Sequence, residues 1–379
     1  MAGIYIHIPF CRQACTYCNF HFSTLLNNKQ QVLDAIRKEM ILQQHFFPDK
    51  TVIETIYFGG GTPSLLSASE INTILDDIHS KWEVGSNAEI TLETNPDDLT
   101  QSYLQDLRRE TPVNRFSIGI QSFLEEDLRY MNRAHSATEA RSSITGAQDA
   151  GFENLSIDLI YGTPTMNDAR WEENLQSAFG LKIPHISCYA LTVEDKTALA
   201  HQVKKKKVLP PADEQTARQF SILLDAMSAH QYTHYEISNF CIEPHFAKHN
   251  THYWKGIPYL GLGPSAHSFD GSKRYWNVSN NAVYTQKINN NLVAAEYELL
   301  TPANLYNEYI LTQIRTIWGV DTAVIRARFG DALLHHFRQE ASPFLLNRWI
   351  QETNGIYTLT NTGKLFCDYI TANLFTQDN

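Results

Sequence analysis

Ile4-Tyr5-Ile6-His7-Ile8-Pro9-Phe10-Cys11-Arg12-Gln13-Ala14-Cys15-Thr16-Tyr17-Cys18 joins a strand pattern directly to a three-cysteine loop. The β-branched and aromatic run Ile4–Ile8 predicts a buried strand, and Pro9 ends it. Three of the six cysteines then fall within eight residues, while Cys188, Cys241 and Cys367 are scattered. A disulfide framework would spread its cysteines, so the crowding predicts a metal site. Thiolates are the soft ligands that iron–sulfur clusters prefer. Gaps of three and two residues let one loop wrap three corners of a cubane, leaving the fourth iron open to an external ligand. The alternative is a zinc site completed by His7 or His21. Closed zinc sites usually pair a CxxC with a distant second pair, and no such pair stands elsewhere in the chain.

Composition narrows the setting. The 379 residues allow two or three domains, and 43% hydrophobic with 19% charged residues fits an ordinary globular core. A net charge of −10 repels polyphosphate backbones and argues against general nucleic-acid binding. The one marked basic run, Lys204 to Lys207, reads as a solvated loop before Pro210–Pro211. No segment reaches the ~18–20 apolar residues that span a bilayer. The start of the sequence lacks the cationic stretch and cleavage site of a secretion signal. A cytoplasmic location, with reduced thiols, is therefore expected.

Outward from the cysteine loop, short β-branched runs alternate with helical patterns. Strands are predicted at Ile4–Ile8, Thr55–Phe58, Glu89–Glu93, Arg115–Ile120, Leu155–Ile160, His185–Leu191 and Tyr235–Ile237. Helical patterns occupy Lys29–Gln44, Ala68–Ser80, Tyr103–Arg109, Ser136–Ala150 and Glu214–His230. This alternation predicts an α/β fold with a parallel sheet, curled toward a barrel or doubly wound. Gly59-Gly60-Gly61-Thr62-Pro63, Glu93-Thr94-Asn95-Pro96 and Gln121-Ser122-Phe123 each follow a strand, where parallel sheets build their sites. After about residue 240 glycine, asparagine and aromatics dominate to about 292. Helical patterns return at Ala303–Ile317 and Leu333–Glu352, before a short Ile356–Leu359 strand and a last helix opened by Asn361 or Thr362. The expected units are 1–240, an elaborated 241–300 region, and 301–379. The last is read as a helical, winged-helix-like unit without a basic recognition face.

Cys-x3-Cys-x2-Cys with an aromatic before its last cysteine resembles the radical SAM superfamily signature. Tyr5-Ile-His-Ile-Pro-Phe-Cys11, Gly59-Gly-Gly-Thr-Pro63, Ile118-Gly-Ile-Gln-Ser-Phe123 and Ile157-Asp-Leu-Ile-Tyr-Gly162 are similar to the oxygen-independent coproporphyrinogen III oxidase family, and most to its haem chaperone branch. The resemblance implies a partial (βα)6 TIM-like barrel, with a smaller, mainly helical C-terminal domain. It also implies a 4Fe-4S cluster on Cys11, Cys15 and Cys18, and S-adenosyl-L-methionine (SAM) as cofactor. The reduced cluster would give one electron to the sulfonium, breaking a C–S bond to a 5′-deoxyadenosyl radical. Coproporphyrinogen oxidases resemble this stretch but carry another cysteine two positions after the third, where this chain has Phe20. That departure favours the chaperone reading over radical decarboxylation of coproporphyrinogen III, which stays as the alternative.

SAM needs partners for an ammonium, a carboxylate and a ribose. Gly59 to Gly61 lack Cβ atoms, so backbone can approach a ligand closely. Glu93 suits the ammonium, and Arg133 suits the carboxylate through its fork of donors. Gln121 and Asp158 suit ribose hydroxyls. The resemblance places SAM contacts at Tyr5, Gly60, Gly61, Thr62, Glu93, Gln121, Arg133 and Asp158, and Tyr17 is expected to cover one side of the ligand. His7 is read either as facing the cavity or as satisfied in the core.

A second constellation is His249-Asn250-Thr251-His252-Tyr253-Trp254. Imidazole ligates haem iron, and aromatics offer apolar surface to a macrocycle. Read bare, it is an aromatic turn. It matches the His-Asn-x-x-Tyr-Trp motif of the haem chaperone branch, which implies haem as cargo. His249 is then the leading ligand candidate, with Tyr253 and Trp254 packing on the ring and His252 at a variable position. Gly261-Leu-Gly263-Pro-Ser-Ala-His267 resembles a family loop near the cofactor, and His267 could serve either ligand. The expected partners are haem-dependent acceptor proteins, such as respiratory enzymes at the membrane. A homodimer is allowed.

Overall fold

Side chains alternate across a strand, and in Ala2–Ile8 (β1) this puts Ile4, Ile6 and Ile8 opposite Tyr5 and His7. The computed structural model, which describes residues 1–377, repeats the pattern in five further strands. These are Val52–Gly60 (β2), Glu83–Thr94 (β3), Arg115–Gln121 (β4), Leu155–Tyr161 (β5) and His185–Ala190 (β6). All six lie side by side in chain order and run parallel. Ile6, Phe58, Leu92, Phe116 and Leu155 are in register on one face and buried. Tyr5, Tyr57, Thr91 and Arg115 are in register on the other.

The apolar face is covered by the helices that connect the strands. Val32, Ile36 and Met40 of helix Lys29–Leu42, Ile71 and Ile74 of Ala68–His79, and Trp171 of Asp168–Gly180 join the strand residues in one core. Ser67 and Ser136 open two of these helices through reciprocal capping boxes with Glu70 and Glu139. The polar face is concave, since side chains from β2 through β6 line a single cavity.

The sheet is a partial barrel. Among the described residues nothing pairs β1 with β6. Instead Thr233–Glu236 (β7) and Asn239–Cys241 (β8) continue antiparallel beyond β6. On the other edge Tyr259–Leu262 (β9) runs parallel to β1, followed by His267–Phe269 (β10), Lys273–Asn277 (β11) and Ala295–Leu299 (β12) as antiparallel neighbours. Among the described residues these form one sheet of 12 strands.

A second core, built on Tyr306, Ile310, Phe337 and Ile370, holds the C-terminal region. There Val320–Asp321 (β13), Ile350–Thr353 (β14) and Ile356–Leu359 (β15) form a small antiparallel sheet in the order β13-β15-β14. The expected helix Leu333–Glu352 stops at Leu346, and Ile350–Thr353 is a strand instead. The reason is local: Asn354 and Gly355, with φ of 54° and 84°, make the two-residue turn of a hairpin.

One buried carboxylate ties the sheet edge to the barrel. Glu39 is fully buried and accepts from the Gly263 N–H (2.8 Å), the Asn277 amide (2.8 Å) and the Tyr284 hydroxyl (2.6 Å). Removing it leaves three buried donors unpaired. Glu39→Ala should therefore cost about 3 kcal/mol or more in denaturant unfolding. Hydrogen exchange should rise first in residues 259–299.

Candidate functional site

The cysteine loop is docked as a unit. The Cys11 N–H donates to the Ser23 carbonyl (3.0 Å), the Thr16 N–H to Met131 (3.1 Å) and the Leu199 N–H to Thr16 (2.7 Å). The Asn132 amide donates to the Ala14 carbonyl, and the Gln13 amide returns a bond to Asn132. The loop therefore rests on the segment that carries Arg133. Cys11, Cys15 and Cys18 are unoxidised, half-buried thiols along one cavity of about 440 Å³. Burial pushes the Cys11 thiol up to about 11 and raises Cys18 as well. Loading this loop with metal must release protons.

The histidines that a zinc site would need are committed elsewhere. His7 Nε2 donates to the His21 carbonyl at 2.9 Å, which leaves Nδ1 to accept from the Tyr5 hydroxyl at 3.2 Å. His21 Nε2 lies 2.8 Å from the Asn281 side chain. Among the described residues no three His, Cys, Asp or Glu side chains crowd closely enough to hold a single ion.

Tyr17, Gly60, Gly61, Thr62, Glu93, Gln121, Arg133 and Asp158 all line the cysteine cavity. Glu93 accepts from the Tyr57 hydroxyl at 2.7 Å and the Gly60 N–H at 3.1 Å. Burial pushes its carboxyl up to about 7, with nearby Asp158 adding to the shift. Asp158 is pushed up to about 6 by burial, against the Ser187 hydroxyl and the positive charge of Arg133 and Arg115. Arg133 donates to Cys15 Sγ (3.2 Å), Asn95 Oδ1 (2.7 Å) and the Gly119 carbonyl (2.7 Å), while its Nε is buried without a partner. A cavity with three thiols, two destabilised carboxylates and an orphaned guanidinium nitrogen fits a cluster and a zwitterionic ligand.

Two details differ from expectation. Tyr5 does not reach this cavity. It packs behind Tyr57, with ring centroids 6.0 Å apart, and faces a second cavity. The glycine run also serves neighbours within the protein. A Cβ on Gly60 would lie 2.6 Å from the His7 ring, and one on Gly61 would lie 2.6 Å from the Phe10 carbonyl oxygen.

Sequence reading missed Tyr57, Ser117, Gly119 and Ser187, which line the same wall. Their signal was available as polar or small residues at alternate positions in otherwise apolar strands. A Cβ on Gly119 would stand 3.0 Å from Gln121 Nε2 and 3.3 Å from Arg133 Nη2, so a larger residue would crowd both.

The second cavity, of about 1150 Å³, lies between the β9–β10 edge, helix Lys248–Trp254 and the C-terminal region. Tyr253, Trp254 and His267 line it. His249 does not. It is 1% exposed, with Nδ1 2.8 Å from Thr55 Oγ1 and Nε2 2.8 Å from the Tyr253 hydroxyl. Burial lowers its pKa to about 3, so the imidazole is neutral. Gly3 makes room for it, since a Cβ there would approach the ring to 3.2 Å.

The radical SAM superfamily model matches residues 5–178, and the HemN C-terminal domain model matches residues 300–366. A protein of Mycobacterium tuberculosis named heme chaperone HemW is 32% identical over 377 residues, covering 98% of this chain and 94% of the relative. The heme chaperone HemW of Bacillus subtilis is 32% identical over 376 residues, covering 96% and 97%. The chain belongs to the radical SAM superfamily, in its HemW-like branch. Membership in the superfamily implies a 4Fe-4S cluster and SAM as cofactors. The fold agrees: the structure of coproporphyrinogen III oxidase (HemN) from Escherichia coli, described as a radical SAM enzyme, superposes with a TM-score of 0.85 at 21% identity. That match covers 99% of this chain and 90% of the other. Among the described residues no helix is long and apolar enough to cross a membrane.

In this HemW-like chain, Cys15→Ala should abolish bound iron and acid-labile sulfide after anaerobic reconstitution while circular dichroism stays that of the parent. Unchanged iron and sulfide would remove Cys15 from the ligand set. Glu93→Gln should weaken SAM binding by roughly 10–100-fold, the size of one charge-assisted hydrogen bond. In the parent, SAM affinity should fall as the pH drops through about 7, where Glu93 becomes protonated. Calorimetric titration across that range tests the sign, and the variant should lose the dependence.

Proposed function

We propose that this protein is a cytoplasmic haem chaperone, one that binds haem and delivers it to haem-dependent proteins such as respiratory enzymes. Cys11, Cys15 and Cys18 hold the cluster by three corners. Glu93 receives the SAM ammonium, and Arg133 pairs with its carboxylate. Gln121 and Asp158 hold the ribose, Gly60, Gly61 and Thr62 form the floor, and Tyr17 closes one side. When bound, the cluster and SAM supply one-electron chemistry. The protein's part is to orient them and keep water from the buried acids.

The observation that carries the cargo reading is the second cavity. It is large, aromatic-walled and separate from the SAM pocket, and it adjoins the helix that bears His249, Tyr253 and Trp254. Tyr253 and Trp254 give it stacking surface, and His249 braces Tyr253 through its hydroxyl. The names of the HemW relatives point the same way. Phe20 supports chaperoning over decarboxylation, since its phenyl ring, 66% exposed, stands where a further thiol would be needed.

An anaerobic transfer assay tests this. Haem-loaded protein should pass haem to an apo-acceptor, read as growth of the acceptor's own haem spectrum. Reduced, reconstituted protein given SAM and coproporphyrinogen III without oxygen should form no protoporphyrinogen. Its appearance would overturn the chaperone reading.

A further inference from the structure

We infer that His267, and not His249, supplies the axial nitrogen to haem iron in the second cavity, an assignment that rests on the haem-chaperone reading. An axial ligand needs a neutral imidazole with a free nitrogen facing a space large enough for the macrocycle. His249 has neither nitrogen free. Its ring lies under Tyr57 at 5.1 Å and against Tyr253 at 4.9 Å, and reaching iron would break two hydrogen bonds inside the core. His7 and His21 border the cavity, but His7 is bonded at both ring nitrogens and His21 is held through Nε2.

His267 alone of these four has neither ring nitrogen engaged. Along β10, Ser268 turns inward, with its hydroxyl 2.9 Å from the Gly261 N–H, so His267 and Phe269 face the cavity. Among the described residues no hydrogen bond engages either nitrogen of His267. Burial and the charge of Arg274 lower its pKa, which keeps the imidazole neutral.

The surroundings fit a porphyrin with two carboxylates. Trp254, Tyr259, Phe269 and Trp318 supply apolar ring surface. Three cations border the space. Arg274 is paired with Glu308 at 2.5 Å, whereas Lys255 and Arg328 sit over the rings of Trp318 (4.7 Å) and Tyr309 (5.7 Å). Among the described residues neither Lys255 nor Arg328 has a carboxylate partner, so both are available to the haem propionates.

Anaerobic haem titrations of full-length protein, followed by absorption and electron paramagnetic resonance, test the assignment. The parent should give the spectrum of histidine-ligated haem. His267→Ala should bind at least tenfold more weakly and lose that spectrum, and added imidazole should restore it. Circular dichroism should match the parent, because the substitution breaks no hydrogen bond of the His267 ring. His249→Phe should keep the histidine-ligated spectrum. A His267→Ala titration identical to the parent, or loss of the spectrum confined to His249→Phe, would overturn the assignment while leaving the chaperone reading in place. A parent that binds no haem would end both.

Discussion

Six neighbouring parallel strands share one constraint: each side chain must point either to the helices or to the hollow of the sheet. The helices accept only apolar surface, so the isoleucine, leucine and phenylalanine positions fill one face. Whatever is polar in those strands is thereby sent to the other. Tyr57, Glu93, Arg115, Ser117, Ser156, Asp158, His185 and Ser187 reach the hollow by this rule alone. The sheet stops short of closure, and the cysteine loop after β1 completes the lining of the hollow. The site is a by-product of the same alternation that buries the core.

That placement has an electrostatic consequence. Burial penalises charge, so Glu93 and Asp158 sit in the protein with pKa values pushed up to about 7 and about 6. A cationic ligand would relieve both penalties, and an anionic one would worsen them. Arg133 is the counterweight. Three of its five N–H donors go to Asn95, the Gly119 carbonyl and Cys15, which holds it rigid, and its Nε–H is unspent. Positive and negative partners are therefore fixed before a ligand enters, which is how a zwitterion is oriented at low entropic cost.

The parts of this arrangement differ in how openly the sequence displays them. The cysteine spacing and the long strands were legible because each is local: one loop, or one run of β-branched residues. All six parallel strands fall where the runs predict them, longer by a few residues at most ends. The edge strands β8 to β12 were invisible because three to five residues carry too little alternation to stand out from loops. The turn at Asn354–Gly355 was legible, but the strand before it, from Ile350, was absorbed into a helical pattern extended too far, to Glu352. His249 shows a different limit. Its motif marks a helix that borders the second cavity, but which residue of that helix faces the space depends on Thr55, 194 residues away in the sequence, and no local pattern reports that contact.

The two cavities are not independent. Asn19 and Phe20, directly after Cys18, line both of them. His7 lines the second, while its ring fills the space that a Cβ on Gly60 would take, and Gly60 lines the first. A single layer of side chains thus forms a common wall, and one side of it is the loop that carries Cys11, Cys15 and Cys18. Any ligand that reshapes the Cys18–Phe20 turn must move part of the second cavity's lining, because closely packed side chains pass displacement to their neighbours. The contact is contiguous and short, so linkage between the two sites needs no long pathway. By reciprocity, a ligand of the second cavity that presses on Phe20 bears on the cysteine loop to the same extent that the cysteine loop bears on that ligand.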